Sequence, residues 1–504
     1  MFETLTNLLY GFSVAITPIN ILYCLIGVIT GTIIGALPGL GPSAGLAVLL
    51  PITFGIDPVG GIIMLAGIYY GAMYGGAITS ILINTPGDSA AVMTTLDGYP
   101  LTQKGRAGAA MGMAAFSSFI GGTISVVAFT FLAPVLASAA LSFGPPEYFA
   151  LMVLGLTTIA GMTGDNPTKG FIAAIFGLIL STVGLDLVTG KPRFTFGMLE
   201  LFSGIDFIPV AMGVFGISEI ILASEGKVDM EGLRNTDLRW RKLFPTAADW
   251  ARSRWHIVRG TLIGFFIGML PGAGATIASF ISYGTAKKTS KNPEEFGKGA
   301  IEGVAAPESA NNAASVGAFV PLLTLGVPGS ASTAILMGAL MMFGLRPGPM
   351  LFEKNPDFVW GLIASMYVGN IMLILMVMLF VPLFVRALLV PKASLNALVL
   401  AFILVGAYSL NNSMFDVYLT LGFGFLGYFM KKLHYPGAPM VLALVLGQLL
   451  ETSLRQSLIL SEGSFSIFFA RPISTVLMII AFGAIFIPVI KSMLTKMKNK
   501  NVAA

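Results

Sequence analysis

Charge is scarce in this sequence. Only 11% of its 504 residues are Asp, Glu, Lys or Arg, against about 25% in a soluble domain. A soluble globule of this size needs a charged surface that the chain does not supply. A disordered chain is excluded as well, because 55% of the residues are hydrophobic. Cysteine occurs once, at Cys24, which rules out an internal disulfide framework. The two histidines, His256 and His434, are far apart and join no Cys/His cluster, so no transition-metal site is expected. No Lys or Arg precedes Lys104, and the first residues therefore lack the basic region of a cleaved signal peptide. They are expected to be retained, as a helix at the membrane interface. The excess of basic residues lies in loops between apolar runs, which reports membrane orientation and not nucleic-acid binding. A Gly-x-x-x-x-Gly-Lys-Ser/Thr nucleotide loop and a His-Glu-x-x-His pair are missing, and no Gly-x-Ser-x-Gly sequence has His and acid partners in sight. Enzymatic activity and cofactors are not expected.

Glycine (60 residues) and proline (28) are plentiful and fall within apolar runs. A helix of about 20 residues crosses the hydrocarbon of a bilayer. Runs at 19–36, 59–83, 107–134, 310–326, 357–383 and elsewhere predict an all-α polytopic membrane protein with about 12 transmembrane segments. The longest polar stretch carries Lys227, Arg234, Arg239, Arg241, Lys242, Arg252 and Arg254. By the positive-inside rule it is cytoplasmic. It divides the chain into a first transmembrane repeat (1–223), a basic linker (224–256), a second repeat (257–490) and a basic tail (491–504).

The halves repeat each other. Gly27, Gly31, Gly35 and Leu37-Pro-Gly-Leu-Gly41 recur as Gly260, Gly264, Gly268 and Leu270-Pro-Gly-Ala-Gly274, at an offset of 233. Pro86-Gly87 recurs as Pro328-Gly329 at 242, and Asn166 as Asn411 at 245. An offset that creeps and never resets is the mark of a duplicated unit. Loop 51–60 has no basic residue, whereas its counterpart holds Lys287, Lys288, Lys291 and Lys298. Opposite charge bias in equivalent loops predicts an inverted repeat, the pattern of secondary transporters. The basic tail, with Lys491 and Lys496, points the other way.

Three motifs could carry chemistry. Proline removes a donor and glycine frees the backbone, so helices should break at Leu-Pro-Gly. A break at membrane depth persists only where protein, water, an ion or a substrate satisfies its polar groups. Carbonyls around Gly39, Gly41, Gly272 and Gly274 are therefore cation ligands in a functional reading; a turn at the membrane surface is the plain one. Glycines four apart ahead of each break are read as helix packing. Asn84-Thr85-Pro86-Gly87-Asp88-Ser89 and Pro328-Gly329-Ser330-Ala-Ser332 combine Pro-Gly breaks with neutral donors. Helix N-termini aim amides at anions, and these segments are expected to converge on a carboxylate substrate. The plain alternative is a Ser/Thr/Asp helix cap. Glu308, Asn311 and Asn312 would share a helical face. Ionisable groups at membrane depth are functional by default; Asn311 and Asn312 are assigned to the substrate and Glu308 to a cation. Lys104, Arg106 and Arg346 are read as loop charges setting topology.

At these residues the chain resembles the TctA family, the large membrane subunit of tripartite tricarboxylate transporters. The resemblance rests on Ala36-Leu-Pro-Gly-Leu-Gly-Pro42, Tyr70-Gly-Ala-Met-Tyr-Gly-Gly76, Ile83-Asn-Thr-Pro-Gly87, Lys104-Gly-Arg-Ala-Gly108, Glu302-Gly-Val-Ala-Ala-Pro-Glu-Ser-Ala-Asn-Asn-Ala313 and Gly326-Val-Pro-Gly-Ser330. It implies a multi-pass permease of the bacterial inner membrane, working with a small TctB-like membrane subunit and a periplasmic TctC-like solute-binding protein. Uptake of citrate or other di- and tricarboxylates would be driven by Na+ or H+ and not by ATP, and elevator-like motion is an expectation. The rival reading is the membrane subunit of an ATP-driven importer, which would need a separate ATPase chain.

Overall fold

The computed structural model describes residues 2–37, 39–161, 167–186, 189–225, 240–270, 272, 274–387 and 392–483. Pro38, Pro271, Asn166, most of the basic linker (226–239) and the whole tail (491–504) lie outside the described residues. In chain order the helices are α1 (Phe2–Ala15), α2 (Pro18–Ala36), α3 (Gly41–Leu49), α4 (Pro58–Ile83), α5 (Val92–Gln103), α6 (Ala107–Ala140), α7 (Pro145–Gly161), α8 (Pro167–Ser181), α9 (Phe207–Ala211) and α10 (Ser218–Glu225). They continue as α11 (Ala247–Gly268), α12 (Gly274–Thr289), α13 (Glu302–Gly317), α14 (Phe319–Leu325), α15 (Ala331–Met342), α16 (Pro349–Lys354), α17 (Pro356–Ala387), α18 (Lys392–Asn411), α19 (Met414–Lys432), α20 (Gly437–Leu460) and α21 (Ile467–Ala470). A π-helical turn, Met212–Ile217, joins α9 to α10.

Among the described residues seven helical stretches are long and apolar enough to cross a membrane. The remaining apolar helices are shorter, for a local reason. The predicted run 310–326 divides into α13 and α14 around Ala318, and α3 and α12 start just after the Leu-Pro-Gly breaks. The architecture is thus an all-α polytopic membrane protein in which long helices are interleaved with half-length ones.

The chain forms two compact units, each drawing on both halves of the sequence: 1–138 with 208–429, and 139–207 with 430–504. In the first, α2 packs along α4, α11 along α13, and α1 along α17. Helix α4 is buried from Gly60 through Leu82 and carries apolar residues all round, as a helix enclosed by others must. In the second unit α8 and α7 pack on α20. A two-stranded hairpin pairs Gly184 with Arg193. Arg193 grips Glu451 through two bonds (2.8 and 3.1 Å), and Arg455 grips Asp186 likewise (3.2 and 2.8 Å). These paired forks tie the hairpin to α20.

Candidate functional site

The site grows from two glycine seams in the first unit. A Cβ on Gly27, Gly31 or Gly35 of α2 would stand 2.1–2.4 Å from the carbonyl oxygens of Met64, Ile68 and Ala72 on α4. On α11, Gly264 and Gly268 meet the carbonyls of Ala310 and Ala314 on α13 in the same way (2.2 and 2.3 Å), and Gly260 meets Ala306 (2.6 Å). Only glycine permits backbones this close. The partner residues are 242 apart (Ala72 and Ala314), the offset already seen for the Pro-Gly pairs.

Each seam runs into its break. Gly39 and Gly41 have φ of +92° and +59°, and Gly272 and Gly274 have +84° and +57°, the left-handed region that glycine alone enters freely. Each break then folds onto the Pro-Gly loop of its own half. The Gly39 N–H donates to the Gly87 carbonyl (3.2 Å), and the Gly272 N–H to that of Gly329 (2.8 Å). Two of the polar groups freed by the breaks are therefore satisfied by backbone.

The loops themselves match. Helix α4 ends on left-handed Asn84 (φ 56°) and α14 on left-handed Gly326 (φ 69°). The next N–H closes the turn in each: Thr85 donates to Thr79 (3.3 Å) and Val327 to Pro321 (3.2 Å). The exposed Asn84 thus performs a backbone task done by glycine in the second half. Past Pro86-Gly87 and Pro328-Gly329, Asp88 and Ser330 act as helix caps. Asp88 Oδ1 accepts the Ala91 N–H (3.0 Å), and Ser330 Oγ accepts the Thr333 N–H (3.3 Å) with the reciprocal bond at 2.8 Å.

The two halves cross at this point. The Ser89 hydroxyl bonds that of Thr276 at the start of α12 (2.7 Å), and the Ser332 hydroxyl bonds that of Ser43 at the start of α3 (3.0 Å). Tyr69 on α4 lies beside Ser330. The Pro-Gly segments of the two halves therefore converge, each reaching the helix that follows the other half's break.

Glu308, Asn311 and Asn312 share one face of α13, fully buried. Thr94 donates to Glu308 Oε1 (2.5 Å), and the Asn312 amide donates to Ser118 (2.8 Å) and to Asn311 Oδ1 (2.6 Å). The cluster connects to the loop through Thr94, six residues after Asp88 in sequence. Asp88 and Glu308 also lie within electrostatic reach of each other. Glu219, just past the π-helical turn, brings a further carboxylate to the first break: its Oε2 lies 3.8 Å from where a Gly39 Cβ would be.

Reasoning from sequence missed Ser43, Thr276, Tyr69, Thr94, Ser118 and Glu219. Ser43 and Thr276 had a signal, since they are 233 apart and each lies two residues past the break's last glycine. Away from the site, Arg106 donates to both carboxylate oxygens of Asp249 (2.8 Å each) at the N-terminus of α11. Burial pushes that carboxyl up, but the bonds from Arg106 and Thr246 outweigh it and hold Asp249 below the usual carboxylate range.

The model of the tripartite tricarboxylate transporter TctA family matches residues 21–442. The chain belongs to this family. It is 44% identical over 497 residues, 98% of both chains, to the Agrobacterium vitis protein described as the uncharacterized 52.8 kDa protein in the TAR-I ttuC' 3'region. A second A. vitis protein, from the TAR-II ttuC' 3'region, is 43% identical over 237 residues, covering 47% of this chain and 96% of its own length. An uncharacterized Methanocaldococcus jannaschii protein is 32% identical over 196 residues, 38% of this chain and 48% of its own. No solved structure matches. As a TctA-family protein the chain is the multi-pass membrane component of a tripartite tricarboxylate transporter.

Proposed function

We propose that this permease takes up di- or tricarboxylates such as citrate by secondary active transport, with Na+ or H+ as the coupling ion. The observation that carries the reading is the reciprocal crossing of the halves, Ser89 with Thr276 and Ser332 with Ser43. Both pairs join short hydroxyl side chains at helix starts, where amides and dipoles favour anions. A carboxylate oxygen can replace either hydroxyl partner without bringing a buried cation into the site. Asn84, Thr85, Pro86, Gly87, Pro328 and Gly329 shape the two loops, while Ser89, Ser330 and Ser332 present donors to the substrate. Asn311 and Asn312 stand behind them on α13.

Asp88 and Glu308 repel a carboxylate, so in this reading both face the coupling cation. Backbone carbonyls at Gly39, Gly41, Gly272 and Gly274 add to the cation's surroundings. Cation binding offsets the substrate's negative charge, which otherwise makes entry into the membrane costly. The substrate arrives from a periplasmic TctC-like binding protein, and a small TctB-like subunit completes the complex in the inner membrane. The two halves are inverted repeats, and one substructure moves past the other as an elevator.

Proteoliposomes holding this chain and its small partner, with the binding protein and labelled citrate outside and no ATP, test the reading. Accumulation under a Na+ or pH gradient, lost when the gradient is collapsed, is expected. Accumulation of another carboxylate only would keep the mechanism and change the substrate. Uptake restored only by ATP and an added ATPase chain would overturn the mechanism.

A further inference from the structure

Among the described residues of the first unit, Asp97 and Glu308 are carboxylates with no exposed surface, and they are compensated differently. Asp97 Oδ1 accepts three backbone N–H groups, from Gly297 (2.9 Å), Gly299 (2.8 Å) and Ala300 (2.8 Å), and its Oδ2 accepts the Tyr283 hydroxyl (2.9 Å). That shell is a complete answer to a buried negative charge. Glu308 has no such shell. Its partners are the Thr94 hydroxyl (2.5 Å) and the Ser118 hydroxyl at a long 3.4 Å. Among the described residues it forms no ion pair. Two further polar atoms beside it, Asn311 Nδ2 and the hydroxyl of Tyr74, are buried with no hydrogen-bond partner, and Tyr74 lies within electrostatic reach of the Glu308 carboxyl. A second acid, Asp88, is also in reach and adds repulsion.

We propose that Glu308, Thr94, Ser118 and Asn311, with Tyr74 beside them, form the binding site of a single Na+ ion. Resting on the cation-coupled reading above, this gives one coupling ion a side-chain cluster as its direct ligands and leaves the glycine-break carbonyls to its wider surroundings. The donor set is oxygen only: a carboxylate, two or three hydroxyls and an amide carbonyl, the ligands of a hard cation. Hydroxyls that donate to Glu308 in the empty cluster can rotate and offer lone pairs to an ion. One carboxylate matches one positive charge, so the filled cluster is neutral and suited to a low-dielectric interior. The ligands come from α5, α6 and α13. Thr94 also continues the segment that begins with Asp88 and Ser89, so occupation of the site fixes the loop that presents Ser89 to the substrate.

The purified full chain in lipid nanodiscs provides the test. Its melting temperature is measured as NaCl replaces choline chloride at constant ionic strength, alongside binding of radioactive Na+. A saturable rise with Na+ is expected in the wild type and lost in Glu308→Gln. Thr94→Val and Ser118→Ala should each weaken apparent Na+ affinity about tenfold, and they stand in for Glu308→Gln should that variant not fold. Na+ binding unchanged in all the variants that fold would overturn the assignment. So would a wild type indifferent to Na+ whose uptake is driven by a pH gradient, an outcome that leaves cation coupling intact. Uptake driven by neither gradient would overturn the coupled reading itself.

Discussion

The two breaks share a backbone and differ in chemistry. Both have a glycine seam, two left-handed glycines, a backbone bond from break to loop, a left-handed helix end and a capped restart. Yet Asp88 caps the first restart and Ser330 the second, and Glu219 reaches only the first break. At the repeat offset of 242, Ala66, Tyr69 and Tyr70 on α4 occupy the places of Glu308, Asn311 and Asn312 on α13. Backbone geometry is thus what the duplication preserves, and side chains are where the halves have taken separate roles. A repeated frame thus carries its acids at different places in the two halves.

The comparison can be broken most forcefully at the loop glycines. A Cβ on Gly87 would stand 2.1 Å from the Gly35 carbonyl and 2.5 Å from the Gly76 Cα, whereas on Gly329 the nearest atom is 3.3 Å away. Gly87→Ala should cost about 3 kcal/mol and Gly329→Ala less than about 1 kcal/mol, read as thermal stability in detergent. Equal effects would mean that the loops are packed alike. The helix ends come next. Gly326→Ala should cost about 1–2 kcal/mol for the left-handed conformation. Asn84→Gly should leave both stability and citrate uptake near wild type, and loss of uptake would restore Asn84 as a ligand. The crossing hydroxyls should behave as equals. Ser43→Ala and Thr276→Val should each cost about 1 kcal/mol, and double-mutant cycles with Ser332→Ala and Ser89→Ala should show coupling of similar size. Smallest is the Arg106–Asp249 fork, which has no counterpart among the features shared by the halves. The Asp249 carboxyl is depressed in the folded chain, so its stabilisation is present above the unfolded Asp value of about 3.9. It is lost as pH falls through the lower folded value. Arg106 is 42% exposed, so Arg106→Met should remove less than about 1 kcal/mol at neutral pH, with the difference from wild type vanishing in acid.

The breaks and seams were legible because they are written in residue types that have one use. Glycine four residues apart and Leu-Pro-Gly after an apolar run leave the backbone few options, and repetition at a fixed offset confirmed them. The convergence of Asn84–Ser89 with Pro328–Ser332 could also be read, since a duplicated motif in a transporter-like chain implies a shared centre. Individual ligand roles were harder. Asn84 reads as an amide donor, but its place is set by φ. Asp88 reads as a substrate contact, but its carboxylate caps a helix. Thr94 and Ser118 sit among ordinary apolar neighbours in sequence and become polar partners of Glu308 only through the packing of α5, α6 and α13. The break into α13 and α14 was missed because 310–326 reads as one span, although Gly317 and Pro321 flank the turn at Ala318.

The seams also bear on how the molecule can move. Gly27, Gly31 and Gly35 sit against carbonyls that are themselves four residues apart, and Gly260, Gly264 and Gly268 repeat the arrangement. Such a contact is toothed. One tooth corresponds to four residues, or about 6 Å along a helix, and any intermediate displacement drives backbone into backbone. Helices α2 and α4 therefore travel as a single beam, and so do α11 and α13. Displacement during a transport cycle must then be taken up outside these pairs, at contacts made by side chains. The hydroxyl crossings, which join one beam's loop to the helix beyond the other's break, are the light fastenings that such a machine would undo first.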